Sequence, residues 1–197
     1  MTVSEAAAIL RAGGLVAFPT ETVYGLGADA ANPLAVARIY EAKGRPQFNP
    51  LIAHVLDTAE AERHADLAAT ARKLAAAFWP GPFTLVVTRR AESSVCELAC
   101  AGLSTIALRA PSHPMARELL TAFGGPIVAP SANRSGHISA TTAAHVSADL
   151  AGSVDLVLDG GASPIGLEST IVAVDDAGVA TLLRPGAVSR DNIEAII

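Results

Sequence analysis

The chain has 197 residues, 51% of them hydrophobic, 17% charged and only 4% aromatic. That is enough apolar material for a well-buried core, and it excludes intrinsic disorder. With 14 Lys and Arg against 19 Asp and Glu, the net charge is −5; stable binding of a long polyanion such as nucleic acid is not expected, whereas a small anion held by a few focused cations is compatible with this balance. Apolar runs are broken by Gly, Pro or charge well short of a membrane span, so no membrane contact is expected. The N-terminal stretch MTVSEAAAILRAGG lacks the basic start and apolar middle of a signal peptide. Two cysteines, Cys96 and Cys100, exclude a disulfide framework and read as buried structural thiols that would share a helix face at this spacing. A cytoplasmic location is the expectation.

Taken in chain order, the pattern predicts a helix over 4–12, closed by Gly13-Gly14, then a buried strand over 15–18. Asn32-Pro33 caps a helix running to about 42. A strand follows over 51–55, a helix over 70–78 that stops at Trp79-Pro80-Gly81-Pro82, and strands over 83–88 and 105–108. Next come a helix over 114–123, ended by Gly124-Gly125, a strand over 127–129 and a helix over 141–150. Strands over 156–158, 170–174 and 181–183 and a helix over 189–197 complete the chain. Interleaved strands and helices, with paired strands late in the chain, predict an α/β fold: a single twisted open mixed sheet with flanking helices, one domain over 1–197.

The polar residues concentrate in five loops, at 19–27, 43–46 with 49–52, 109–114, 130–136 and 166–170, with Arg184-Pro185-Gly186 after the last. In open α/β sheets ligands sit in crevices at strand ends, so convergence of these loops there would build one concave site. Common motifs do not explain them. Gly25-Leu26-Gly27 lacks the third glycine of a dinucleotide fingerprint, and Leu167-Glu168 stand where a Walker A sequence needs Lys and Ser/Thr. There is no nucleophile elbow.

Lys43 and Arg45 flank Gly44 at a terminating helix, with Pro46 following. Cations in that position often only cap the dipole. The break at Gly44 also lets both turn toward one ligand, where a point-charge Lys beside a forked Arg suits a polyphosphate. His54, alternating with apolar residues, taken alone reads as a core histidine, and Ser131 and Asn133 taken alone are as readily a turn as a site.

Together these stretches resemble the YrdC-type threonylcarbamoyl-AMP synthases: FPTETVYGLGADA (18–30), KGRP with NPLIAH (43–54), WPGPFTLV (79–86), RAPSH (109–113), APSAN (129–133), GLESTIV (166–172) and LRPG (182–186). The resemblance runs from about Ser4 to Ser189 and is to the short, single-domain form. It implies a large concave cavity and a nucleotidyltransferase reaction. L-threonine, bicarbonate and ATP, with Mg2+, would give threonylcarbamoyl-AMP and pyrophosphate. The product would pass to a separate transferase complex that modifies tRNA. Lys43, Arg45, Ser131 and Asn133 would carry the chemistry, with no resident metal site. Lys43, Arg45, Asn49, Thr105, Asn133, Thr141 and Arg184 would bind ATP. Thr22, His54, Arg109, Ser131 and Ser169 would bind threonine, with Thr20 an alternative to Thr22. The competing readings are a carbamoyl-adenylating domain of the hydrogenase-maturation type, which belongs to longer, cysteine-rich chains, and an RNA-binding or ribosome-assembly module of the same fold, which the acidic balance disfavours.

Overall fold

The computed structural model describes residues 2–197. Strands β1 (Val16–Phe18), β2 (Gly25–Asp29), β3 (Ile52–His54), β4 (Phe83–Thr88), β5 (Thr105–Arg109), β6 (Ile127–Val128), β7 (Leu156–Val157), β8 (Thr170–Val174) and β9 (Ala180–Arg184) form one nine-stranded sheet in the order β7-β1-β2-β6-β3-β5-β4-β8-β9. Pairing is mixed: β1–β7, β3–β5 and β4–β8 are parallel, and the remaining neighbours are antiparallel. The helices are α1 (Val3–Arg11), α2 (Pro33–Lys43), α3 (Thr58–Ala61), α4 (Ala69–Phe78), α5 (Pro114–Phe123), α6 (Ala143–Leu150) and α7 (Arg190–Glu194). Among the described residues no helix is long and apolar enough to cross a membrane.

The expected mixed α/β sheet is present. Two elements escaped the sequence pattern. One is β2, whose Gly25 and Gly27 carry no strand propensity. They are glycines because Phe18 of β1 lies over them: a Cβ on Gly27 would stand 2.8 Å from the Phe18 ring. The other is the single turn α3, capped by Asp57. The helix expected over 141–150 starts at Ala143, because the Thr142 side chain is its N-cap. The helix expected over 189–197 closes at Glu194. Cys96 and Cys100 lie in a run of turns, so they share no helix face; Cys100 is buried and Cys96 partly so.

Alternation along the strands sorts side chains onto two faces. One face carries Ala17, Leu26, Ala53, Leu85, Leu108, Val128 and Val172, packed with residues of α2 and α4 in the larger core. The other carries Val16, Phe18 and Ile127, packed with Ala6, Ala7 and Leu10 of α1 and Ala116, Leu119 and Leu120 of α5. Those two helices cover only the β1-β2-β6 half. Across β3, β5, β4 and β8 the same face is left open, and burial falls at alternate positions such as Ile52, Ala107, Val86 and Ile171.

Gly186, just after β9, tolerates no side chain. A Cβ there would stand 2.5 Å from the Glu168 carbonyl oxygen and 2.6 Å from Thr170 N. Gly186→Ala is therefore expected to lower the free energy of unfolding by about 1–3 kcal/mol in a urea titration. Gly125→Ala, whose nearest contact would be the Phe123 ring at 3.6 Å, should stay within about 0.5 kcal/mol of the parent protein. Equal effects would show that the close approach at Gly186 is not a constraint.

Candidate active site

The open half-face is the floor of a cavity of about 370 Å³, within the range of small-molecule sites. Ile52 and His54 of β3, Val86 of β4, Ala107 and Arg109 of β5 and Ile171 of β8 form that floor. The loops 19–24, 45–51, 129–131 and 168–169, with Arg184, form the walls. The site therefore lies across the sheet face rather than in the strand-end crevice that the sequence suggested. The roof formed by α1 and α5 stops short, and the polar loops rise around the gap.

Three guanidinium groups, Arg45, Arg109 and Arg184, line the cavity with a single carboxylate, Glu168. Burial is the chief influence lowering the Arg184 pKa; Glu168 opposes it, and repulsion from Arg109 and Arg45 adds to it. The guanidiniums thus converge closely enough to feel one another, and an anion in the cavity relieves that repulsion. Arg45 owes its direction to Gly44, the left-handed C-cap of α2 at φ 59°. Its Nε and Nη2 donate to the carbonyls of Asn49 and Pro50, at 3.2 and 3.1 Å. Arg184 is braced by Ser169, donating to its carbonyl at 2.8 Å and its hydroxyl at 3.2 Å.

Lys43 behaves differently from Arg45. It is only 3% exposed, and its ammonium donates to the carbonyl oxygens of Ser131 and Asn133. It is neither a solvated helix cap nor part of the cavity wall; it ties the 131–133 loop from behind. Burial, with Arg45 nearby, lowers its pKa to about 8, and Asp149 works against the shift. The same loop is stitched at several other points. Ser135 N donates to the Lys43 carbonyl at 2.8 Å and Ala132 N to the Tyr24 carbonyl at 2.8 Å. Asp149 of α6 accepts from Arg134 N at 2.7 Å and lies 2.7 Å from the His137 ring.

At the other end of the cavity, Thr20 Oγ1 donates to the Val23 carbonyl at 2.6 Å. Its one proton is thereby committed, so in the 2.8 Å pair with Thr22 the Thr22 hydroxyl is the donor. Thr22 is left with lone pairs, an acceptor suited to an ammonium group. This separates Thr20 from Thr22, although both line the cavity. His54 sits in register with Arg109, edge-on to Phe18 at 6.1 Å. Burial and the Arg109 charge lower its pKa to about 3, so it is neutral near pH 7. Its Nδ1 is buried without a partner among the described residues. Arg109 is not the free cation that the sequence suggested. It is ion-paired at 2.6 Å with Glu21, and both side chains are buried.

Of the sequence-predicted residues, Thr22, Arg45, Asn49, His54, Arg109, Ser131, Ser169 and Arg184 meet on one cavity. Lys43, Thr105, Asn133 and Thr141 do not reach its wall. Thr105 begins β5, opposite Thr88 and one alternation beyond Ala107. Thr141 lies before α6, 3.3 Å from the His145 ring. Asn133 donates its amide to the Arg134 and His137 carbonyls, and its Oδ1 is buried without a partner among the described residues. Glu21 and Glu168 were missed: each stood in a quoted loop, but nothing local marks an acid whose partner is distant in sequence, Arg109 for Glu21 and Ser139 for Glu168. Among the described residues no three His, Cys, Asp or Glu side chains cluster to hold a metal.

An open mixed sheet with a half-covered face, three arginines on one cavity and threonine hydroxyls beside them define an α/β protein with a cationic cavity on its sheet. The family model described as telomere recombination, Sua5/YciO/YrdC, matches residues 8–186, and the chain belongs to that family. It is 47% identical over 99% of its length to a threonylcarbamoyl-AMP synthase of Bacillus subtilis and covers 56% of that protein. It is 40% identical over 95% of its length to a putative threonylcarbamoyl-AMP synthase of Mycobacterium tuberculosis, covering 85% of it. The crystal structure of Pyrococcus abyssi Sua5 complexed with L-threonine superposes with a TM-score of 0.94 at 46% identity, over 99% of this chain and 57% of that one. The chain thus spans little more than half the length of two of these relatives.

The depressed Lys43 pKa has a defined signature. Between pH 8 and 10.5 the unfolded chain keeps a proton at Lys43 that the folded chain releases, so stability at this position rises with pH across that window. Relative to Lys43→Met, the wild-type unfolding free energy is expected to gain about 1–3 kcal/mol from pH 8 to 10.5. Parallel pH profiles of the two proteins in denaturant titrations would show that Lys43 has an ordinary pKa.

Proposed function

We propose that the chain carries threonylcarbamoyl-AMP synthase chemistry: L-threonine, bicarbonate and ATP give threonylcarbamoyl-AMP and pyrophosphate. The observation that carries this reading is the division of one cavity between guanidiniums without carboxylate partners at Arg45 and Arg184 and an acceptor pocket at Thr22 and His54 beside a paired arginine, Arg109. The names of the relatives support it.

The deprotonated threonine amine adds to CO2 with loss of a proton, or condenses with bicarbonate with loss of water, to give an N-carboxylate. A carbamate oxygen then attacks the α-phosphorus of ATP, in line with departing pyrophosphate. Both reactants are anionic, so the protein's task is positioning and charge neutralisation. Arg45 and Arg184 would hold the phosphates, with Asn49 fixed close by. Lys43 would act through the loop it ties, presenting Ser131, with Asn133 behind the wall holding that loop to the Arg134 and His137 carbonyls. Mg2+ would enter with the triphosphate as part of the nucleotide substrate, Glu168 being the one carboxylate on the wall. Thr105 and Thr141 lie outside the wall and would meet only the part of the nucleotide that extends beyond it. Thr22 would accept from the amine, Arg109 would take the carboxylate, and Ser169 and neutral His54 would supply hydrogen bonds rather than a proton relay. The adenylate would pass to a separate tRNA-modifying transferase, in keeping with the net charge of −5.

Pyrophosphate release is expected to require threonine and bicarbonate together and to proceed without tRNA. The assay restores each component singly, then jointly, in CO2-free buffer. Release with threonine and ATP alone would mean direct amino-acid adenylation; release only on adding tRNA would place the transfer step in this chain. Arg45→Ala is expected to slow the reaction at least about tenfold, the loss of one charge-assisted phosphate contact. Near-normal turnover in steady-state kinetics would remove Arg45 from the site.

A further inference from the structure

Glu21 has no role in the chemistry proposed above, yet it is among the most completely anchored polar groups in the molecule. It lies in the loop between β1 and β2, 6% exposed. Its Oε1 accepts from Arg109 Nη2 at 2.6 Å. Its Oε2 accepts from the backbone N–H of Ser112 at 3.1 Å and of His113 at 3.3 Å, where the chain enters α5. Its own carbonyl accepts from Ile165 N at 3.0 Å. The carboxylate is therefore fixed by backbone on one side and holds the guanidinium on the other.

Arg109 is constrained in turn. Its Nε donates to the Gly81 carbonyl at 3.3 Å. With Nε and Nη2 engaged, Nη1 is left without a partner among the described residues, and Arg109 lines the cavity. A buried ion pair of this kind is weak evidence for stability, because apolar replacements of similar volume often do as well. What the pair does is aim a planar fork, and it also cancels the charge of that fork. Arg45 and Arg184 have no such carboxylate partner in the structure.

We infer that Glu21 is a positioning residue: it holds Arg109 with one guanidinium edge open to an amino-acid carboxylate, and it neutralises that end of the cavity so that phosphate settles at Arg45 and Arg184. This rests on the reaction proposed above. Glu21→Gln puts an amide, half donor, among three donors. Arg109 loses both its orientation and its counter-charge.

The test measures L-threonine and ATP affinities of the wild-type protein and of Glu21→Gln by calorimetry, with L-threoninamide, which lacks the carboxylate, as a third ligand. Threonine affinity is expected to fall about 10–100-fold, threoninamide affinity to change less than about threefold, and ATP affinity to hold or rise. Equal threonine affinity in the two proteins overturns the inference, as does an equal loss for all three ligands, which would mark Glu21 as merely structural. A wild-type protein that binds no threonine sinks the proposed reaction itself, a distinct result. Should Glu21→Gln fail to fold, Glu21→Asp keeps the charge but shortens its reach. It is expected to show the same selective threonine loss, and wild-type affinities in it overturn the inference.

Discussion

The site depends on an imbalance of coverage. A sheet buries both faces or leaves one to water, and here one face is divided: α1 and α5 close over β1, β2 and β6, and among the described residues no helix closes over β3, β5, β4 and β8. An uncovered apolar floor in water is costly. The loops offset that cost by standing around it, and β3 and β5 place His54 and Arg109 on the floor itself. Because β3 and β5 are parallel and in register, those two side chains lie side by side. The cavity is thus a consequence of where two helices stop.

Charge is then distributed by what each cation is permitted to touch. Arg45 and Arg184 spend their donors on backbone carbonyls or a hydroxyl and keep their full charge, Arg109 spends its charge on a carboxylate, and Lys43 is withdrawn behind a loop. Four cations of similar formal value become two guanidiniums without a carboxylate partner, a neutralised fork and a structural tie. The difference lies in local partners for Arg45 and in distant ones for Arg109, Arg184 and Lys43.

That explains which parts could be read from the residues alone. The strand Phe83–Thr88 and the helix Pro114–Phe123 have the bounds the sequence predicted, since local punctuation marks their ends: Pro82 before one, Pro114 and Gly124 around the other. The strand Gly25–Asp29 stayed hidden because its glycines answer to the Phe18 ring, not to local propensity. The family resemblance placed eight site residues that do share the cavity, but the direction in which Lys43 points and the Glu21–Arg109 pairing, 88 residues apart in sequence, depend on contacts no local pattern carries. Placing the site at the strand ends failed for the same reason: the pattern shows where helices form and not how far they reach across a face.

The loop from Ser131 to His137 draws these threads together. Lys43, Tyr24 and Asp149 each hold it at a different point. Ordering a loop on binding costs conformational entropy, about 0.5–1.5 kcal/mol for each immobilised side chain. Here folding has already met that cost. On the proposed reading, a ligand arriving at Ser131 would find an edge already fixed, and its affinity would not be taxed by loop closure. Association at this wall should be fast and little affected by temperature-driven loop motion, and selectivity there is set by shape instead of by an induced rearrangement.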